Sequence, residues 1–210
     1  MTIEMNALAV ALPRGRHPNR LPFRGVLAPV DAPSDRAPEG ARGHRVALSR
    51  EAAERALPSL LGMALDYLPA LDGHDARRKV GIITEAEIAD PSFIVRRPSF
   101  AKDEKRTTSG ALVISGYLYA RDFPELVREL RSNAGALGLS YEITEAKVAD
   151  MRAAVWVLSE VTFTGAAILR REKAAYRSTS IELTEEPRDT SFVVCPSSFG
   201  KTGTEAAPND

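Results

Sequence analysis

Three short segments of the chain carry side chains that could perform nucleophilic chemistry. A serine hydroxyl is a poor nucleophile at neutral pH until an imidazole accepts its proton. A third group then has to hold the imidazole in the required tautomer and stabilise its charged form. The segments that offer these side chains are Leu71–Asp75 (LDGHD), Gly138–Glu142 (GLSYE) and Leu158–Val161 (LSEV). Together they provide a serine, a histidine and an acidic residue.

The search for a base is short because the chain has only three histidines. His17 and His44 lie in stretches rich in Pro, Arg and Gly, which predict loops. His74 lies in a turn between segments of predicted regular structure. No second His or Cys lies at ligand spacing from it, so the pattern does not predict a metal site.

Ser140 lies in a predicted strand whose two faces differ. Residues alternate between the faces of a strand, so Leu137, Leu139, Tyr141 and Ile143 share one face and Gly138, Ser140 and Glu142 share the other. Gly138, two residues before the serine, leaves room for a substrate backbone. An ordinary solvent-facing serine would show the same periodicity.

Glu160 is predicted to share a strand face with two apolar residues, Trp156 and Leu158. Burying a carboxylate among such neighbours is costly unless the carboxylate is paired. The partner could be a histidine or one of the many arginines.

Composition limits the class of protein. The 210 residues suffice for one well-buried core, and 28 basic residues balance 28 acidic ones, which disfavours a nucleic-acid partner. The apolar run Ala7–Leu12 is too short for a membrane span and has the wrong flanking charges for a secretory signal. One cysteine, Cys195, excludes an internal disulfide and a cysteine metal cluster. We therefore expect a cytoplasmic protein without a metal, a cofactor or a membrane partner.

The order of predicted elements indicates an α+β, mostly β fold. Predicted strands cover 23–30, 79–88, 111–119, 137–148 and 151–163, and predicted helices follow Ser49 and Asp122, with a short third one over 169–176. Residues 1–20 are expected to form a flexible arm, 21–184 the folded domain and 185–210 a flexible tail. The charged stretch 89–109 is predicted to be a long exposed loop.

Two other motifs do not predict a site. Gly200–Thr202 resembles the end of a phosphate-binding loop, but Cys195 occupies the position of its first glycine. Cys195 itself has no neighbouring base that would activate its thiol.

Taken in order, the segments resemble the phage prohead serine proteases, which are related to the herpesvirus assembly proteases. The resemblance covers Leu21–Leu183 and is strongest over Gly110–Tyr176. It is carried by His74, Leu137–Glu142, Glu160–Phe163 (EVTF), Gly116–Pro124 (GYLYARDFP) and Thr164–Leu169 (TGAAIL). It implies a compact antiparallel β-barrel surrounded by a few helices.

The resemblance also implies roles for individual residues. Ser140 would be the nucleophile and His74 the general base, with Glu160 as the third member and Asp75 or Asp72 as alternatives. No histidine follows Ser140, which departs from the herpesvirus pattern of a second histidine. Arg170 and Arg171 would lie at the oxyanion site.

The implied function is that of a serine endopeptidase of capsid maturation. It would act inside the immature capsid, in the cytoplasm of the bacterial host, on the scaffold, on the propeptide of the major capsid protein and on itself. A homo-oligomer is compatible with this role. The alternative is a catalytically inactive structural relative that acts as a capsid assembly or scaffold protein.

Overall fold

The structure is a computed structural model that describes residues 7–9, 17–90 and 110–184. Nine strands in these ranges belong to one sheet. They are β1 Ala7–Ala9, β2 Arg20–Pro29, β3 Arg45–Leu48, β4 Ala64–Tyr67, β5 Lys79–Ala89, β6 Ala111–Tyr119, β7 Leu137–Val148, β8 Val155–Arg170 and β9 Ser180–Leu183. The described helices are α1 Arg50–Ala56 and α2 Pro124–Ser132, with 3₁₀ turns at Leu57–Leu60 and Ala134–Ala136. The predicted α+β, mostly β class is confirmed.

The sheet curls into a half-barrel and does not close, so the predicted closed barrel is wrong. Its strand order is β3-β8-β4-β5-β6-β2-β9, with β1 on β5 and β7 on β8. Strands β3 and β4 run parallel to β8, and the other pairs are antiparallel. In the described part of the chain, β7 and β9 do not pair with each other. The Thr179 side chain, just before β9, lies against Gly138 of β7.

The core lies on the inner side of the curled sheet. Leu137 and Leu139 of β7 are buried there, and the Tyr141 ring meets the Phe163 ring edge-on, with centroids 5.8 Å apart. The predicted apolar face of β7 is therefore confirmed. Other fully buried side chains come from β2, β3, β4, β5, β6 and the first 3₁₀ turn: Phe23, Leu27, Leu48, Leu57, Leu60, Leu65, Ile83, Leu112, Ile114 and Leu118.

Both helices form where the sequence predicts them, although one cap differs. The Ser49 hydroxyl accepts a hydrogen bond from the Ala52 amide and caps α1, as predicted. Helix α2 begins after Phe123, which provides no side-chain cap, and Pro124 occupies the first turn. The Asp122 carboxylate, the predicted cap, instead accepts a hydrogen bond from the Asn19 side chain at 2.8 Å.

Two predicted boundaries are wrong. Strand β8 continues to Arg170, where a short helix was predicted, because Ile168 and Leu169 pair with Leu139 and Gly138 of β7. Ala7–Ala9, within the predicted free arm, pairs with β5. The predicted tail, with Cys195 and Gly200–Thr202, and nearly all of the predicted loop 89–109 lie outside the described residues. No described helix is long and apolar enough to cross a membrane.

Candidate active site

Strand β7 presents Ser140 and Glu142 on the same face, opposite to the core. Ser140 lies across from Ala167 of β8, and Glu142 lies across from Gly165. The period of two in a strand places side chains i and i+2 next to each other on one face. The serine hydroxyl and the carboxylate therefore stand side by side, with small residues beside them.

The loop between β4 and β5 brings His74 to this face. Leu71 anchors the loop: its side chain is buried, and its carbonyl oxygen accepts a hydrogen bond from the Arg170 amide at 2.8 Å. Its φ is 54°, a left-handed conformation that is uncommon for a leucine. Such a conformation persists only where the surrounding contacts hold it. The turn that carries His74 is therefore fixed to the end of β8.

The imidazole of His74 bridges the two side chains of β7. Its Nε2 lies 3.1 Å from the Ser140 hydroxyl oxygen, and its Nδ1 lies 3.0 Å from Glu142 Oε1. In the tautomer protonated at Nδ1, the ring donates to Glu142 and can accept the serine proton at Nε2. The His74 and Glu142 side chains are 33% and 25% exposed, so a substrate can reach them. This is the geometry of a nucleophile, a base and an orienting carboxylate.

The predicted juxtaposition of His74 and Ser140, which are 66 residues apart, is confirmed. The predicted position of Glu160 beside His74 is wrong. Glu160 Oε2 accepts a hydrogen bond from Lys147 Nζ at 2.7 Å, and its side chain is 56% exposed.

A change of phase along β8 explains why Glu160 faces solvent. Trp156 and Leu158 are buried, and farther along the strand the buried residues are Val161 and Phe163. The pairing of β7 with β8 shifts register around Lys147. An extra residue at such an irregularity reverses the faces of the residues that follow. Glu160 therefore does not share the face of Trp156 and Leu158.

The alternative acidic residues do not contact the imidazole either. The Asp75 carboxylate accepts a hydrogen bond from the Arg77 amide at 3.0 Å and lies 3.9 Å from Arg78 Nε. Asp72 is exposed at the start of the turn. Glu142 thus occupies the position that was predicted for Glu160, Asp75 or Asp72.

The sequence contains a signal that makes Glu142 one candidate for the acidic residue. It lies two residues after Ser140 on the same face of the predicted strand, within reach of any base that meets the serine. Its proximity to the serine in the sequence was a better guide than the apolar setting of Glu160, which depended on unbroken alternation along β8.

The main-chain amides predicted to stabilise an oxyanion are already engaged. The Arg170 amide donates to the Leu71 carbonyl at 2.8 Å, and the Arg171 amide donates to the Ala136 carbonyl at 2.9 Å. The Arg171 side chain donates from Nε to the Arg177 carbonyl at 2.8 Å. In this arrangement both amides connect neighbouring loops and are occupied by main-chain carbonyls.

Tyrosines beside the site are poor candidates for an alternative base. Burial raises the pKa of Tyr141, so its phenol stays neutral at pH 7. Burial, followed by the hydrogen bond to Glu125, raises the pKa of Tyr67.

The other two histidines contact residues outside the site. His44 stacks on Trp156 with ring centroids 4.4 Å apart, and His17 accepts a hydrogen bond from the Asn19 amide. His74 is the histidine positioned for proton transfer.

A metal is not needed to explain the acidic groups near His74. Asp66, His74 and Glu142 each have a potential ligand atom within 4.8 Å of the others. However, His74 and Glu142 are hydrogen-bonded to each other, and the Asp66 carboxylate is bonded to the Asp75 amide and to Lys79. The donor set is thus satisfied within the protein.

Gly165 makes room for the Glu142 carboxylate. A Cβ atom at position 165 would lie 2.7 Å from Glu142 Oε2 and 3.2 Å from the Ala64 carbonyl oxygen. Gly165→Ala should therefore push the carboxylate away from His74. If the site cleaves peptides as proposed below, the rate of cleavage should fall on the order of 10²-fold, the effect of a displacement of about 1 Å in a catalytic group.

The matched control for this prediction is Gly73→Ala, next to His74. A Cβ atom there would meet only Leu68 Cδ2, at 3.9 Å, an ordinary contact. The rate of peptide cleavage, measured for both variants at equal folded fraction, provides the comparison. Equal rates of cleavage for the two variants would show that the space that Gly165 leaves for the Glu142 carboxylate is not needed for activity.

Comparisons with known proteins do not identify the chain. No family model, no curated protein and no solved structure matches it.

Proposed function

We propose that this chain is a serine endopeptidase in which Ser140 is the nucleophile, His74 the general base and Glu142 the orienting carboxylate. The observation that supports the proposal most directly is the position of the His74 ring, 3.1 Å from the Ser140 hydroxyl and 3.0 Å from the Glu142 carboxylate. A chance contact would account for one of these distances more easily than for both. The chemistry requires this pair of contacts on opposite ring nitrogens.

Each step uses a contact of the site. The Ser140 hydroxyl oxygen attacks the scissile carbonyl carbon while its proton passes to His74 Nε2. Glu142 accepts the Nδ1 hydrogen bond and stabilises the imidazolium that forms. The imidazolium then gives its proton to the leaving amine as the C–N bond breaks, which leaves an acyl-enzyme. Water, deprotonated by His74, then attacks the ester carbonyl, the bond to the Ser140 oxygen breaks, and the imidazolium returns its proton to that oxygen as the carboxylic acid product leaves.

The substrates follow from the resemblance to phage prohead proteases. We propose the scaffold protein, a propeptide of the major capsid protein and the enzyme itself, cleaved inside the immature capsid. The mostly β fold and the curled sheet are compatible with a relative of the herpesvirus assembly proteases. The sheet is not a closed barrel, and in this respect it differs from the architecture that the resemblance implies.

One observation favours the second candidate, a catalytically inactive assembly or scaffold protein of the same family. The amides of Arg170 and Arg171 are engaged in other hydrogen bonds. Removing a single oxyanion donor costs about 10²–10³-fold in kcat, so a site without donors would be very slow. An active enzyme has to provide donors from other groups or from a rearrangement on substrate binding.

An alkyl fluorophosphonate distinguishes the two candidates without a known cleavage site. Such probes phosphonylate a serine that a base has activated, with release of fluoride. We expect the wild-type protein to gain the mass of the probe, and peptide mapping should locate it on Ser140. The His74→Ala variant should gain this mass at least about 10²-fold more slowly, because a general base contributes at least that factor to the rate.

Ser159 provides an internal control in the same sample, since its hydroxyl donates to the Lys147 carbonyl, whereas the described histidines contact other residues. Labelling of Ser159 as fast as Ser140, or no labelling of Ser140 in folded protein, would contradict the assignment of Ser140 as an activated nucleophile.

A further inference from the structure

A fully buried carboxylate lies beside the site and has no role in the mechanism above. Asp66 of β4 is 0% exposed. It lies across from Ala167 of β8, which itself lies across from Ser140 of β7. One of its carboxylate oxygens is within 4.8 Å of both a His74 ring nitrogen and a Glu142 carboxylate oxygen.

Both oxygens of Asp66 are paired. Oδ1 accepts a hydrogen bond from the Asp75 amide at 3.1 Å, and Oδ2 lies 3.3 Å from Lys79 Nζ. Taking a carboxylate out of water costs several kcal/mol, at an order-of-magnitude level, unless its partners are well placed. Asp66 therefore remains charged and buried despite its desolvation free energy, at a position where it contacts the main chain next to His74.

Contacts before and after His74 hold the loop that carries it. The Leu71 carbonyl fixes the loop before His74, and Arg78 lies over the Tyr67 ring after it, 5.6 Å from the centroid. The hydrogen bond from the Asp75 amide to Asp66 Oδ1 holds the main chain one residue after His74. A catalytic side chain has to be held within about 0.5 Å of its productive position.

We infer that Asp66 is a positioning residue of the proposed protease. Its Oδ1 holds the main chain at Asp75, and this contact keeps the His74 imidazole between Ser140 and Glu142. Lys79 compensates the buried charge. The inference rests on the proposed function for its catalytic consequence, whereas the structural part concerns His74 and the loop alone.

A pair of double variants separates the hydrogen bond from the charge. Asp66→Asn with Lys79→Met keeps an oxygen that can accept from the Asp75 amide and removes both charges. Asp66→Leu with Lys79→Met has a side chain of similar size and no acceptor. The two side chains are uncharged and similar in size and differ in the amide group, whose oxygen is the acceptor, so their comparison tests the positioning contact.

We expect the Asn variant to be phosphonylated at Ser140 within about threefold of wild type and the Leu variant about tenfold or more slowly, since small displacements of catalytic groups have large effects on rate. A second readout needs no activity. In a Ser140→Ala background, the far-downfield proton resonance of the hydrogen bond between His74 Nδ1 and Glu142 should persist with Asn and be lost with Leu. Its loss in Glu142→Gln assigns the resonance.

A folded Leu variant with the labelling rate and the resonance of the Asn variant would overturn the inference. If the Leu variant does not fold, hydrogen exchange in the wild-type protein decides, because an unprotected Asp75 amide would equally overturn it. One further outcome separates the two proposals. If the resonance persists with Asn and is lost with Leu, but the probe does not label the wild-type protein, the proposed protease is rejected and the positioning role of Asp66 is supported.

Discussion

Ser140→Ala and His74→Ala should each abolish processing of a co-expressed capsid or scaffold substrate and of the chain itself. Without the hydroxyl no acyl-enzyme forms, and without the imidazole the hydroxyl keeps its proton. The expected loss in kcat is on the order of 10⁶ for either variant. Because the two residues act as a unit, the double variant should be little slower than either single one. Intact masses of substrate and enzyme, purified in parallel, measure the effect.

The control is that both single variants fold as the wild type does. Ser140 and His74 lie on the outer face of the sheet, outside the buried core, so thermal unfolding should change little. Normal processing in the Ser140→Ala background would remove Ser140 as the nucleophile. Losses that add in the double variant would show that the two side chains act independently.

Glu142→Gln should lower kcat by about 10⁴-fold, because the amide can stabilise neither the required tautomer nor the imidazolium. Glu160→Gln should leave kcat nearly unchanged. Its carboxylate pairs with Lys147 on the exposed part of the β7–β8 hairpin, and such surface pairs contribute little. The two variants make the same chemical change at two glutamates on neighbouring strands.

Peptide cleavage or phosphonylation of Ser140 measures this contrast, and the two variants serve as controls for each other. A large loss with Glu160→Gln and none with Glu142→Gln would restore the original assignment of the third residue and contradict the geometry of the site. Thermal unfolding should remain close to wild type for both, since both carboxylates are partly exposed.

The sequence predicted the strands of the site well because their signals are local. Strand β7 has the predicted bounds, and its alternation placed Ser140 opposite to the buried face of Leu137 and Leu139. The scarcity of histidines singled out His74. The capping serine of α1 was equally local, since its hydroxyl bonds to an amide three residues later.

Predictions that required regularity over a longer distance did not hold. Glu160 was assigned by continuing the alternation of β8 through an irregularity that the sequence does not mark. The helix predicted over 169–176 was wrong because pairing with β7 extends β8 to Arg170. Closure of the barrel depended on pairing between β7 and β9, which do not pair with each other in the described part of the chain.

The sequence alone determined which residues could react: one histidine attached to regular structure and one serine on the open face of a strand. Only the tertiary structure decided which carboxylate meets the imidazole and that Asp66 lies behind the site. The reason is physical. Side-chain type and strand periodicity are properties of neighbouring residues, whereas the contacts of the His74 imidazole with β7 depend on register and on loop anchoring across 66 or more residues.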